Sequence, residues 1–170
     1  MTTILTAAAI ATLTVSPEGF QGITPETTME YLVETFGAEN VEEVREHLGE
    51  GYYSEGALVY GGTEQEFSVV WEEGMVTQIR FTGPAITTGE GIGIGSTLED
   101  LEAVIGEFPM AGFAWDAEGW ADLEGTLYEG LYIRLTPEAP VSEEYLGDAM
   151  FSSADFHGCQ CRIADMRLFL

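Results

Sequence analysis

The chain has 170 residues, 45% of them hydrophobic, which is enough to bury one core or two small ones and too many for a disordered acidic tail. Thirty acidic residues stand against five arginines and no lysine, a formal net charge of −25. Such a chain repels phosphate backbones and anionic head groups, which excludes nucleic acid and membrane surfaces as natural partners.

The acids are scattered as singles and pairs with no long run. That pattern fits the solvated surface of a protein from a saline-adapted bacterium; the competing reading is an acid-rich face for a cationic partner or for calcium. Residues 1–20 form a leader or a first element. The apolar stretch from Ile4 to Val15 has the length of a signal-peptide core, yet no Lys or Arg precedes it, so an export signal and a first strand or helix both remain open. It is shorter than the ~20 apolar residues needed to span a bilayer, and membrane insertion is not expected.

A first unit, residues 21–83, begins after the irregular Ser16–Gly22 lead-in. Thr27–Phe36 reads as a helix, and Val41, Val44 and Leu48 at i, i+3 and i+7 read as a second, shorter one. Three strands follow at Ala57–Tyr60, Glu66–Trp71 and Met75–Phe81, the last two joined by a Glu72-Glu73-Gly74 hairpin turn. Thr82–Gly91 is the connector.

A second unit, residues 92–170, opens on a capped helix. Ser96 is placed as its N-cap with Glu99 reaching back to it, Leu98, Leu101 and Ile105 form the apolar face, and Gly106 ends it. Thr27-Thr28-Met29-Glu30 through Phe36-Gly37 superposes on this stretch, which makes the chain a tandem. Phe108–Asp122 reads as loop or irregular strand, Leu127–Leu135 as a strand with Leu131, Ile133 and Leu135 inward, and Glu143–Met150 as a helical turn. Arg162–Leu170 closes the chain as a strand with Ala164, Met166, Leu168 and Leu170 inward. Arg80 and Arg167 occupy like positions in the two closing strands. The expected fold class is α+β, with two repeated helix-helix-antiparallel-sheet units.

The run Gly95-Ser-Thr-Leu-Glu-Asp-Leu-Glu-Ala-Val-Ile-Gly-Glu-Phe-Pro109 resembles the opening of the small bacterial outer-membrane assembly lipoproteins. The same helix-then-sheet unit occurs in tandem in the secreted β-lactamase inhibitor proteins. The order of Ile23-Thr-Pro-Glu-Thr-Thr, Phe36-Gly, Gly56–Trp71, Gly91–Leu98 and Gly112–Asp116 is similar to uncharacterised bacterial extracytoplasmic proteins. The chain departs from the lipoproteins in having no lipidation cysteine near its start and no lysine. The resemblance implies a fold and a periplasmic or secreted location, and carries over no catalytic residue.

Four stretches invite chemistry. Gly89–Thr97 is glycine-rich before a helix, but it has no P-loop spacing and no lysine, and Glu90, Glu99 and Asp100 crowd it with negative charge. His157-Gly158-Cys159-Gln160-Cys161 allows free thiols, a local disulfide or a metal, though a structural zinc site wants four ligands. Trp115-Asp116 and Trp120-Ala121-Asp122, with Glu118 and Glu124, place carboxylates beside aromatics, as a sugar-binding or glycoside-cleaving groove requires. Asp116, Glu118 and Asp122 have alternate spacing suited to calcium but lack the remaining loop positions of a calcium hand. The two histidines, His47 and His157, sit in no nucleophile context. Arg80 and Arg134, flanked by apolar strand residues, are expected to be partly buried and ion-paired.

The reading that follows is a non-enzymatic extracytoplasmic module, structural or protein-binding, with no cofactor or metal. Its surface would carry Trp115, Asp116, Trp120, Tyr60 and Tyr132, together with Tyr52 and Tyr53, on concave sheet faces. The rival is a carbohydrate-binding domain or carboxylate-dependent hydrolase that uses the Trp115–Glu124 loop.

Overall fold

The computed structural model describes residues 13–115 and 118–170. The leader stretch up to Thr12 and the candidate Asp116 lie outside the described residues.

Two eight-residue helices occur where the tandem reading put them, α1 at Met29–Phe36 and α2 at Leu98–Ile105, so that Met29 matches Leu98 and Phe36 matches Ile105. Thr28 caps α1, its hydroxyl accepting from the Tyr31 N–H at 3.3 Å. The cap of α2 is Thr97 with Asp100, one residue on from the expected Ser96 with Glu99. The Asp100 N–H donates to Thr97 Oγ1 at 3.0 Å and the Thr97 N–H donates to the Asp100 carboxylate at 2.9 Å. Both pairs have capping-box spacing, so local chemistry does not choose between them. The choice is tertiary: the Ser96 carbonyl accepts from the Ile163 N–H at 2.8 Å, which holds Ser96 outside the helix.

Val41–Gly49 is not a second helix but a strand, β2, paired along its length with β3, Tyr52–Val59. The helix-helix part of each expected unit is therefore corrected: among the described residues each half has one α-helix, and the second half adds only 3-10 turns. Val41, Val44 and Leu48 fit a helical stripe, but Glu50-Gly51 supplies a tight turn with both φ positive, and the chain beyond it offers a complete antiparallel partner. β4 (Phe67–Glu72) and β5 (Met75–Phe81) follow, joined at Glu73-Gly74, again with two positive φ values.

With β8 (Leu131–Thr136) and β10 (Arg162–Phe169), these strands form one antiparallel six-stranded sheet in the order β2-β3-β4-β5-β10-β8. The two halves of the chain meet at β5 and β10, where Arg80 faces Arg167 and the flanking pairs are Ile79 with Leu168 and Phe81 with Met166. A bulge between Ile163 and Asp165 resets the phase of β10, so Ile163, Met166 and Leu168 are buried. Ala164, expected inside, is exposed for that reason, and Leu170, also expected inside, is exposed because β10 ends at Phe169. Two short ribbons complete the sheets: β1 (Leu13–Thr14) runs parallel to β6 (Ile86–Thr87), and β7 (Pro109–Ala111) antiparallel to β9 (Met150–Ser152). Glu143–Tyr145 makes a single 3-10 turn.

The inner face of the sheet, the helices and residues of the lead-in share one hydrophobic cluster. Phe20 packs edge-on against Phe67 at 5.0 Å and Phe81 at 4.9 Å, while Leu32, Leu98 and Leu101 are fully buried. Tyr128 is buried with its hydroxyl 2.7 Å from Thr88 Oγ1 and 3.0 Å from Glu90 Oε2, and burial pushes its phenol up to about 12.

Cys159 and Cys161 are joined as a disulfide across Gln160, and both are buried. Beside it, His157 Nε2 lies 2.6 Å from Glu102 Oε2 of α2. This hydrogen bond to the carboxylate raises the imidazole above its ordinary value. Because the folded value is the higher one, the pair's contribution is fully present below about pH 6.5 and is lost as pH rises through the folded value. Thermal melts should therefore show the wild type losing ground to His157→Gln above pH 6.5, with a constant difference at pH 5–6. Parallel curves across pH 5–9 would rule the coupling out.

Candidate interaction face

The sheet curls strongly. β2 and β5 are three strands apart, ~14 Å if flat, yet Arg80 Nη1 of β5 reaches Glu46 Oε2 of β2 at 3.3 Å and donates to the His47 carbonyl at 3.0 Å. The β2–β3 hairpin thus folds over the side opposite the helices and makes that side concave, which is why Ser68, Val70 and Gln78 are buried there.

Strand alternation directs the polar residues of β5, β8 and β10 onto this concave side. Register puts Arg80, Arg167 and Tyr132 in one row and Arg134 beside Asp165 in the next. The chain at Glu118–Ala121 runs along the far side of β8, with the Leu135 N–H donating to the Gly119 carbonyl at 2.8 Å and the Ala121 N–H to the Ile133 carbonyl at 3.0 Å. That pairing lays the Trp120 indole on Tyr132, centroids 3.8 Å apart, with the guanidinium of Arg134 at 5.8 Å and that of Arg167 at 5.4 Å from the indole centroid. Phe169 meets the Tyr132 ring edge-on at 5.5 Å. Trp115, 65% exposed, borders a depression of about 330 Å³ shared with Glu118, Trp120, Arg134, Asp165 and Arg167.

Each guanidinium has an acidic partner: Arg80 has Glu46, Arg134 has Glu118 at 3.6 Å, and Arg167 has Asp165. Arg80 also donates through Nε to Gln78 Oε1 at 2.9 Å. Burial, and then the neighbouring positive charge of Arg167, hold the Arg80 guanidinium below its ordinary value. Three of the five arginines lie here beside three carboxylates, so this face is locally neutral on a chain of net charge −25.

Of the residues singled out from sequence, Trp115, Trp120 and Tyr132 are brought together. Tyr60 is elsewhere: it takes a positive φ, donates its N–H to Asn40 and packs edge-on to Phe36 at 6.0 Å. Tyr52 and Tyr53 are exposed at the β2–β3 hairpin end, Tyr53 lying 4.9 Å from the His47 ring. Arg167, Phe169 and Asp165 were not singled out as binding residues. Their alternation with Met166 and Leu168 marks them as outward, but nothing local says that β10 lies beside β8.

Two carboxylates of the 115–124 loop are engaged. Glu118 pairs with Arg134, and Asp122 Oδ1 accepts from the Glu124 N–H at 3.1 Å in a local turn. Among the described residues no group of three or more His, Cys, Asp or Glu is arranged to hold a metal ion, and no helix is long and apolar enough to cross a membrane.

No family model and no curated protein sequence matches the chain. Among solved structures it is similar to the uncharacterized protein yfeY from Escherichia coli, with a TM-score of 0.58 at 12% identity over 92% of this chain and 99% of that one. At that identity the likeness concerns the fold: an α+β chain dominated by antiparallel sheet, with two short helices.

Proposed function

We propose that this is a non-catalytic, extracytoplasmic protein-binding module that receives its partner on the concave face around Trp120. The observation that carries the reading is the indole of Trp120 held on Tyr132 with the guanidiniums of Arg134 and Arg167 at 5.8 and 5.4 Å from its centroid, beside exposed Phe169 and Trp115. Trp, Tyr and Arg are the residues over-represented where binding energy concentrates. Local charge balance removes from this face the repulsion that the rest of the surface exerts on an acidic partner. The Cys159–Cys161 disulfide favours an oxidising compartment.

The tandem architecture belongs to the same proposal. Helices matched in length and in a threonine N-cap, and a β5–β10 register symmetric about Arg80 and Arg167, support two related units joined into one sheet, in the manner of the tandem β-lactamase inhibitor proteins. The rival use of the 115–124 loop for sugars draws on exposed Trp115 beside Trp120, while the pairing of Glu118 and Asp165 with arginines weighs against hydrolysis.

The test compares immobilised wild type with Trp120→Ala/Tyr132→Ala in extracytoplasmic extract at 0.3 M NaCl, after circular dichroism shows both folded. Expected is a saturable retained protein that the double variant holds at least tenfold less well. Equal retention by the two would refute the reading, and quenching of wild-type tryptophan fluorescence by simple oligosaccharides would favour the rival.

A further inference from the structure

The two ends of the sheet are treated differently. The outer side of β8 is covered by the Glu118–Ala121 segment, whereas β2, nine residues long, ends the sheet with no strand beyond it among the described residues. The phase of its free groups follows from one bond: the Tyr60 N–H donates to the Asn40 carbonyl, so even-numbered residues of β2 bond to β3 and the N–H and C=O groups of Glu43 and Arg45, with the N–H of His47, point to the open side, the His47 carbonyl being taken by Arg80.

Beside this edge, between β2–β3 and the N-terminus of α1, lies a groove of about 780 Å³, bordered by Met29, Glu43, Arg45, Glu55 and Trp71. Its indole is fixed, since Trp71 Nε1 donates to the Thr27 carbonyl at 2.8 Å. Arg45 is turned to the Tyr53 ring, 5.2 Å from its centroid, and the carboxylates of Glu43 and Glu55 have no ion-pair or hydrogen-bond partner among the described residues. The hairpin's curl toward the concave side leaves Glu43, Arg45, His47, Tyr53 and Glu55 exposed.

We infer that the β2 edge and this groove receive an extended, lysine- or arginine-bearing segment of another protein as a seventh strand. Main-chain groups of Glu43 and Arg45 and the N–H of His47 would supply the ladder, and alternate side chains would meet Trp71 and the carboxylates of Glu43 and Glu55. Natural edges are commonly guarded by lysine; this one carries Glu42 and Glu43, with Glu46 paired to Arg80. On a chain of net charge −25 those acids oppose pairing with a second copy and favour a cationic strand. This site is separate from the concave face, and either reading can fail alone.

The probe is an acetylated, amidated octapeptide of alternating lysine and valine, added to the isotope-labelled full chain at 0.3 M NaCl, where non-specific attraction is screened. Expected are one-to-one binding, slowed amide exchange at Glu43, Arg45 and His47, and at least tenfold weaker binding to Glu43→Lys/Glu55→Lys, with Glu144→Lys, a single reversal elsewhere on the surface, unchanged. Absence of binding, exchange protection confined to other strands, equal binding of a glutamate–valine octapeptide, or equal affinity in the double variant would each overturn the inference. So would light scattering showing a dimer whose formation protects β2, because the occupant would then be a second copy.

Discussion

Raising NaCl from 0.1 to 1 M is expected to raise the urea midpoint of unfolding by at least about 1 M, or ~1–3 kcal/mol at ordinary denaturant sensitivities. The screening length contracts over that range from ~10 Å to ~3 Å, which quiets interactions between exposed charges of either sign. Which sign dominates is decided by composition, with 30 acidic residues against five arginines. The described ion pairs involve Arg80, Arg134, Arg162 and Arg167 together with His157. Exposed pairs are individually worth ~0–1 kcal/mol, so their loss is outweighed by relief of repulsion among the remaining acids. Repulsion is weaker in the expanded unfolded chain, and salt therefore favours the folded state. A midpoint that stays flat or falls would show that the acids are spaced too far apart to repel, and would remove the case for a saline-adapted surface.

The second large effect is expected at Gly119. Its φ is +68°, and a Cβ there would fall 2.0 Å from the Leu135 carbonyl oxygen and 3.0 Å from the Phe113 ring. Gly119→Ala combines the ~1–2 kcal/mol cost of a left-handed non-glycine residue with the ~1–3 kcal/mol of an overpacked contact, for a loss of roughly 3 kcal/mol. Gly125 is the control: its φ is +72° but nothing lies within 4 Å of the added atom, so Gly125→Ala should lose only about 1 kcal/mol. The comparison isolates close approach from backbone conformation. Gly119 also joins the loop to β8 one residue before Trp120, so the damaged variant should show altered tryptophan fluorescence as the indole leaves Tyr132. Equal losses at the two glycines would mean that the 118–121 segment is not held against β8.

The candidate face shows why some residues could be found in the sequence and others could not. Trp115, Trp120 and Tyr132 are conspicuous because large aromatics beside turn residues are unusual, and they do converge. Tyr60 is equally conspicuous, but its positive φ at the end of β3 turns its ring onto Phe36. Arg167 and Arg134 alternate with Met166, Leu168, Ile133 and Leu135, whose inward placement was legible, although β8 starts at Leu131 and not at Leu127. Their meeting over one indole depends on β8 and β10 being neighbours, which no local pattern encodes. The Val41–Leu48 stretch marks the opposite failure. Its apolar spacing satisfies a helix, and only the hydrogen-bonding partner beyond Glu50-Gly51 makes it a strand.

Read alone, the order of residues determined both helices and their glycine stops, the β4–β5 hairpin, the inward residues of β8 and the acidic character of the surface, since periodicity, capping and composition act over a few positions or over the whole chain at once. The tertiary structure alone decided that Ser96 lies outside its helix, that Val41–Gly49 pairs as an edge strand, that a bulge inverts the start of β10, and that the two halves close into one curled sheet. Those outcomes depend on hydrogen-bond partners and packing surfaces distant in sequence, whose free energies exceed the few tenths of a kcal/mol by which local preference differs.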